Sequence, residues 1–534
     1  MPAMPAMPAM WRLLGACLAV QQAWQAAATE ATEAAETCAT GHCEPKEGAS
    51  SSSGSGRQHW WPYQKGTPGR TGYSPYAMPD ITKGPAWTQE APHGDVVRST
   101  PLIDDQKNIY VTTVAGRTYK LSGMDGKPLW SHYTGSRGSV PGVPSLWDSV
   151  MLMLTKNGFL IALDLDTGVE RWEKQIVTQV AASCDCGLLT QGILVVAVMD
   201  PEPLKLWTDP NTFRWNNRIL GLSLDDGSFR WSFAPKQPTY NFQGSTIHDG
   251  TFVFQDVTGG VYRMSTEGRL IWHAATPDRV SGTTAAAVIH DGRVFAVSNL
   301  GGGPQLYGTE GKGLLHVYGY EDGTFLWSQD LPYEGNQAVA VGDLVGSKSR
   351  ASLVLGMGKN PWLPVYANWG MVLIPIIGFK AAKMFLLPFH WLSLSYPSLF
   401  AKKQGRSIVA LDAATGNVLW YHEMEPYQRP AAMGDSELLI ERYDSIAHGT
   451  NPNNDPWCLP DANAQPVIDG AGTALVPFQD GKIYAIRDEN GDGKISPEEV
   501  KEHLVGAAFQ ASPALAPGLL AVVDCSGRLE VFRD

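Results

Sequence analysis

Through most of the chain, apolar and polar positions alternate in short runs that end in a polar turn and a tryptophan. "GFLIALDLDTGVERW", ending at Trp172, is a clear copy, and "RSIVALDAATGNVLW", ending at Trp420, is another. Alternation of this kind puts every second side chain on one face of a strand. The turn carries Asp or Thr, which bond their own backbone, and a Gly that takes a positive φ without strain. Further copies close on Trp130, Trp231, Trp272 and Trp327. Upstream of each lies another strand with a small-residue start, such as "RSTPLI", "GVPSLW" or "GTTAAAVIHDGRVFAV". Each unit therefore holds about four short strands, and the tightest Trp-to-Trp spacings match the ~40–45 residues of one propeller blade.

A four-stranded sheet cannot bury both faces alone, but blades stacked around an axis can. The tryptophans are then packing residues between neighbouring blades. A seventh unit, "GTALVPFQDGKIYAIRDENGDG", keeps the rhythm without the closing Trp. The last, "ASPALAPGLLAVVDCSGRLEVF", also lacks it, and Trp87 in "GPAWTQEAP" is placed to supply an outer strand from the other end. The expected fold is all-β: an eight-bladed propeller latched by both termini, with seven blades the alternative. "WPYQKGTPGRTGYSPY" (residues 61–76), followed by copies of "ALDxxTGxxxW", resembles the PQQ-like, or quinoprotein-type, β-propeller family. The likeness covers residues 61–534. That family includes quinone-dependent alcohol and sugar dehydrogenases as well as non-catalytic scaffolds, among them the propeller lipoprotein of the bacterial outer-membrane barrel-assembly machinery.

In the seventh unit, "DENGDGKISPEE" (residues 488–499) fits the EF-hand loop pattern. Asp488, Asn490 and Asp492 would offer side-chain oxygens. Lys494 would offer its carbonyl, Ser496 a hydroxyl or a bridging water, and Glu499 a bidentate carboxylate. Calcium takes six to eight hard oxygens, and three carboxylates offset its charge. Pro497 followed by "EEVKEHL" predicts a short exiting helix. No entering helix precedes the loop, because "KIYAI" reads as strand, and no second hand accompanies it. Calcium is thus the expected cofactor, held weakly.

The unit before Trp420 contains an apolar insertion at residues 361–400, from Pro361 to Phe400, whose only formal charges are Lys380 and Lys383. Exposed apolar surface on this scale marks a partner or a membrane. Prolines 361, 364, 375, 388 and 397 argue against a long straight helix, so an interfacial or re-entrant hairpin is expected, with a protein groove or folding back on the propeller as alternatives.

The front of the chain has a different composition. Arg12, the apolar run at residues 13–20 and the small residues that follow have the layout of a secretory signal segment, assigned to residues 1–28. Residues 29–58 read as a disordered linker and 59–534 as the propeller. This places the protein outside the cytosol: the periplasm, the ER lumen or another organelle. The net charge of −12 argues against nucleic acid. Seven cysteines are too few for a disulfide scaffold; Cys38 and Cys43 could pair locally, and Cys184 and Cys186 are too close for an easy bridge.

Quinoprotein dehydrogenases usually carry adjacent cysteines beside the quinone, and here Cys184 and Cys186 are separated by one residue. "GGGPQLYGTEGKG" lacks phosphate-loop spacing, and the histidines have no metal-ligand spacing. No catalytic or quinone-binding residue is assigned, and PQQ is not expected. The sequence reads as a calcium-binding, non-catalytic scaffold with unidentified protein partners and membrane contact through residues 361–400. A PQQ-dependent dehydrogenase is the alternative.

Overall fold

The computed structural model describes residues 56–180, 187–199, 215–275, 277, 280, 285–301, 310–345, 351–360, 364–447 and 457–534. The expected signal segment, most of the linker and the Cys38–Cys43 and Cys184–Cys186 pairs lie outside them. From Gly56 onward the chain is one unit of eight antiparallel sheets, the expected number of blades. In blade two the strands are Ser145–Trp147, Val150–Leu154, Phe159–Asp164 and Glu170–Gln175, in sequence order from the axis outward. Blade four has three such strands, and Ser245 bridges to Val253 where its inner strand would lie. Because successive strands reverse direction, the first–second and third–fourth turns share one face, here the turn face. The second–third loops and the links between blades share the other, the loop face.

Adjacent blades are locked by a repeated contact. The Trp closing one blade lies against the turn glycine of the next: Trp130 on Gly168, Trp172 on Gly227, Trp231 on Gly268, Trp272 on Gly323 and Trp327 on Gly416. Each of these glycines has φ between 67° and 84°. A Cβ on Gly168 would stand 2.6 Å from the Trp130 ring. The indole N–H of Trp130 donates to the Leu165 carbonyl at 3.0 Å, and that of Trp231 to the Thr266 carbonyl at 2.7 Å. In the next blade, Asp164 Oδ1 accepts from the Asp166 and Thr167 backbone N–H groups and holds the turn in shape. A one-residue bulge before each of these tryptophans offsets the outer strand.

The ring closes as expected. Trp87–Glu90 pairs with Arg528–Arg533 of the last blade, Trp87 opposite Val531, and Trp87 lies on Gly126 of blade one. At one junction the lock is absent on both sides. Blade eight is closed by a separate segment and has no third–fourth turn, and blade seven has Lys501 where the tryptophan would stand, opposite Ala485 and without a bulge. His503 fills in, its Nε2 2.7 Å from Glu530 Oε2 and its ring edge-on to Phe532.

Residues 61–76 follow the axis at the turn-face ends of the inner strands. They exchange backbone hydrogen bonds with blade one through Trp61 and Ile103, and with blade two through the Pro62 carbonyl and Leu146. Contacts to Thr246, Ile289, Val341 and Ile468 then reach blades four, five, six and seven. Lys65, Gly66, Arg70 and Gly72 take positive φ along this path. Gly66 is required there, since a Cβ would stand 2.5 Å from the Trp61 ring.

The expected exiting helix of the calcium-type loop is not formed. Pro497–Glu499 is a single 3-10 turn, and Val500–Leu504 is the fourth strand of blade seven, Ile486 opposite Val500. A full hydrogen-bond ladder outweighs the modest helix preference of "EEVKEHL". The apolar insertion is a helical hairpin on the loop face. Helix α1 (Val365–Ile377) turns at Gly378 into α2 (Phe379–Ser395), and a short α3 (Pro397–Phe400) follows. Pro364 and Pro397 mark helix starts, whereas Pro375 and Pro388 fall within α1 and α2. Helix α4 (Leu439–Ala447) comes from the link between blades six and seven, and Leu439, Tyr443 and Trp457 form a small core with Tyr366 and Leu386. Cys458 in that link is bonded to Cys525 in blade eight, a pairing the sequence did not single out.

The lock predicts a graded response to Gly→Ala. Gly192, with φ 77° and nothing near its would-be Cβ, should lose only the left-handed backbone cost of about 1–2 kcal/mol. Gly168→Ala should lose about 1–3 kcal/mol more from overpacking against Trp130. Urea denaturation of the two variants measures the difference.

Candidate functional site

Two sites stand on opposite faces. On the turn face, residues 488–499 replace the ordinary turn of blade seven. Asp488 is buried, and its Oδ1 accepts from Gly491 N at 2.8 Å and Asp492 N at 3.2 Å, its Oδ2 from Gly493 N at 3.0 Å. Asn490 Oδ1 accepts from Asp492 N, and Asp492 Oδ1 from Lys494 N, both at 2.8 Å. Glu499 returns across the loop and accepts from Glu489 N at 2.8 Å and Ser496 N at 2.9 Å. Those amides, that of Ser496 first, hold its carboxyl below the ordinary range. Gly491 and Gly493 both take positive φ, as the tight coil requires. Ile495 and Val500 pack against the cluster containing Trp420, the most buried of the closing tryptophans. The fold thus brings the predicted residues into one coil, Asp488 and Glu499 inward and Asn490, Asp492 and Lys494 toward solvent. Among the described residues, no three His, Cys, Asp or Glu side chains converge into a ready-made metal cage.

On the loop face, a buried polar cluster gathers where blades five, six and seven meet. Asn299 Nδ2 donates to Asn336 Oδ1 at 2.6 Å, and Asn336 Nδ2 to Asn360 Oδ1 at 2.9 Å. Asn360 and Gln337 both donate to the Asp461 carboxylate, and Asp461 N donates to Gln510 Oε1 at 3.0 Å. Glu334 is 2% exposed, and its Oε2 has no hydrogen-bond partner among the described residues. Burial, with Asp461 adding, pushes its carboxyl up to about 7. Sequence reasoning did not find this cluster. Its members are spread over more than two hundred residues in segments such as "YEGNQ", "GKNPW" and "PDANAQ", with no spacing to link them.

Near the axis, described polar side chains bond to one another and to backbone. Gln465 of blade seven donates to Gln243 before blade four at 2.9 Å, so side chains meet across the axis. Lys65 is fully buried and donates to the Ala338 and Val339 carbonyls, and Arg70 Nε donates to the Gly244 carbonyl at 3.1 Å. Arg70 Nη1 also donates to the Gln64 carbonyl at 3.0 Å, so both buried cations are bonded to backbone.

A family model described as outer membrane protein assembly factor BamB matches residues 76–196 and 140–303. The crystal structure of BamB from Moraxella catarrhalis superposes with a TM-score of 0.51 at 14% identity, over 84% of this chain and 97% of that one. Quinohemoprotein alcohol dehydrogenase from Comamonas testosteroni gives 0.54 at 12% identity, over 89% and 80%. A europium-containing methanol dehydrogenase gives 0.54 at 12%, over 88% and 90%. No curated protein matches the sequence. The family model, spanning residues 76–303, agrees with the PQQ-like likeness of the repeats. At such identities the structural likeness is one of fold, and the fold carries both an assembly factor and dehydrogenases.

Glu334 sets a pH dependence. Its folded pKa lies above the unfolded one, so the unfolded chain releases the proton first and stability falls as pH rises from about 4.5 to about 7. Glu334→Gln should remove that fall, gaining on the order of 2–3 kcal/mol relative to wild type at pH 8 over pH 5. Denaturant titrations at the two pH values measure it.

Proposed function

We propose that the chain is a non-catalytic propeller scaffold working outside the cytosol, with one structural calcium ion in the loop at residues 488–499. The observation that supports the scaffold reading is the axis: residues 61–76 bond to six inner strands near it, and Gln465 donates to Gln243 across it. The match to a family model named for an outer-membrane assembly factor agrees with a role in binding other proteins. The Cys458–Cys525 bond suits an oxidising compartment.

Calcium would be held by Asp488, Asn490, Asp492, the Lys494 carbonyl, Ser496 and Glu499. Backbone amides of the coil orient the carboxylates of Asp488 and Glu499, whose oxygens keep further lone pairs for a metal. The loop has no second hand to pair with, which fits weak affinity, roughly 10⁻⁵–10⁻³ M. The ion would stiffen the coil that covers Trp420, so its work is to brace the junction of blades six and seven.

Two measurements test the reading. Millimolar calcium should raise the melting temperature and give heat in calorimetry, and Glu499→Gln should abolish both; no heat and no shift in the wild type would remove the ion from the account. Purified protein supplied with PQQ, calcium and an artificial electron acceptor should oxidise neither alcohols nor sugars. Turnover would establish the dehydrogenase alternative, for which Glu334, holding its proton to near neutrality, is the first residue to mutate.

A further inference from the structure

The α1–α2 hairpin is amphipathic in the wrong sense for a helix facing water. The inward side of α2 is made of Ala382, Leu386, His390 and Ser393, all buried. Its outward side carries Met384, Phe385, Trp391 and Leu392, with Met384 75% and Trp391 65% exposed. Helix α1 continues the surface with Val372 at 63% and Ile376 at 72%. The side that packs on the protein is thus the more polar one. In a soluble domain the apolar stripe faces the core.

Along the segment that forms this surface the charge has one sign, and Glu437 of the next link acts on its inward side, at Tyr366 and His390. No Asp or Glu occurs anywhere in residues 344–411, although acidic residues exceed basic ones in the chain as a whole, 53 to 41. Lys359, Lys380, Lys402 and Lys403 are exposed at the ends of the insertion and at the hairpin tip. Lys383 lies over the Phe379 ring at 5.7 Å. Trp391 and Tyr396, at 65% and 57% exposed, are of the type that settles at the headgroup level. The helices have 13 and 17 residues, about 20 and 26 Å at 1.5 Å per residue, short of a ~30 Å hydrocarbon core. No described helix is long and apolar enough to cross a membrane.

We propose that the α1–α2 hairpin is a monotopic membrane-docking element. It lies in the interfacial layer of an anionic phospholipid bilayer, with Val372, Ile376, Met384 and Trp391 among the acyl chains and the lysines on the phosphates. The loop face, with the Glu334 cluster, then faces the membrane, and the turn face with the residue 488–499 coil faces away from it. Dispersed apolar contact supplies the binding free energy, and the lysines select the negative surface. This does not rest on the calcium reading, and Glu499→Gln should dock as the wild type does.

The test is co-sedimentation of the full chain with vesicles in the presence of EDTA, which removes bridging by divalent ions. The wild type should bind vesicles containing phosphatidylglycerol and bind pure phosphatidylcholine at least about tenfold more weakly. A Met384→Glu/Trp391→Glu double variant should lose binding by about tenfold or more. Because both side chains face outward, its circular dichroism and melting temperature should stay unchanged. Lys380→Glu/Lys402→Glu/Lys403→Glu should bring anionic binding down to the phosphatidylcholine level. Failure to bind either vesicle, or full binding by the Met384/Trp391 variant, would overturn the proposal. So would a wild type that self-associates through this surface, becoming monomeric in that variant, without binding vesicles.

Discussion

One contact organises the ring: an indole laid on a glycine that has no side chain to displace it. The tryptophan comes from the outer strand of one blade and the glycine from the outer turn of the next. Five closing tryptophans make this contact, and Trp87 on Gly126 makes a sixth. A residue with a Cβ at the turn would be strained by its positive φ and would strike the ring, and a small residue in place of the indole would leave a void between sheets. Blade seven and blade eight prove the dependence by exception. Where blade eight has no turn to offer, blade seven has no tryptophan, and a His503–Glu530 pair against Phe532 takes the space. Side-by-side sheets thus become a closed wheel through a series of local matches, each made between consecutive repeats.

Closure and filling are done by the segment that precedes the first blade. Trp87–Glu90 completes the last blade, so the two ends of the folded chain share one sheet. Residues 61–76 stitch six inner strands together near the axis. That path uses up the polar ends of the inner strands and leaves two buried cations solvated by carbonyls. The result is a hub in which one segment ties six blades together.

The two faces have diverged. The turn face is regular except at one coil, where an acidic loop replaces the usual turn and leans on the buried Trp420. The loop face has received the long insertions: a helical hairpin in blade six, helix α4 in the following link, and the disulfide that ties this link to blade eight. Insertions of this size are tolerated because both ends of each loop are pinned by the sheets, and closing a longer loop adds little entropy cost.

What the sequence determined by itself is what repeats or what is local. Alternation, the Asp–Thr–Gly turns and the closing tryptophans are periodic, so the blades, their number, the role of the indoles and the strand supplied around Trp87 could be read before any coordinates. The residue 488–499 coil was legible because its pattern is contained in twelve consecutive positions. The tertiary structure alone decided what depends on distant partners. "VKEHL" became a strand because an edge at Lys482–Ile486 needed pairing. Cys458 met Cys525 across 67 residues, and residues 61–76 found six blades. Glu334 became buried beside a cluster that draws Asn299, Asn360 and Asp461 from three other segments. Periodicity and motif are properties of neighbours along the chain, whereas burial and the protonation it sets are properties of neighbours in space.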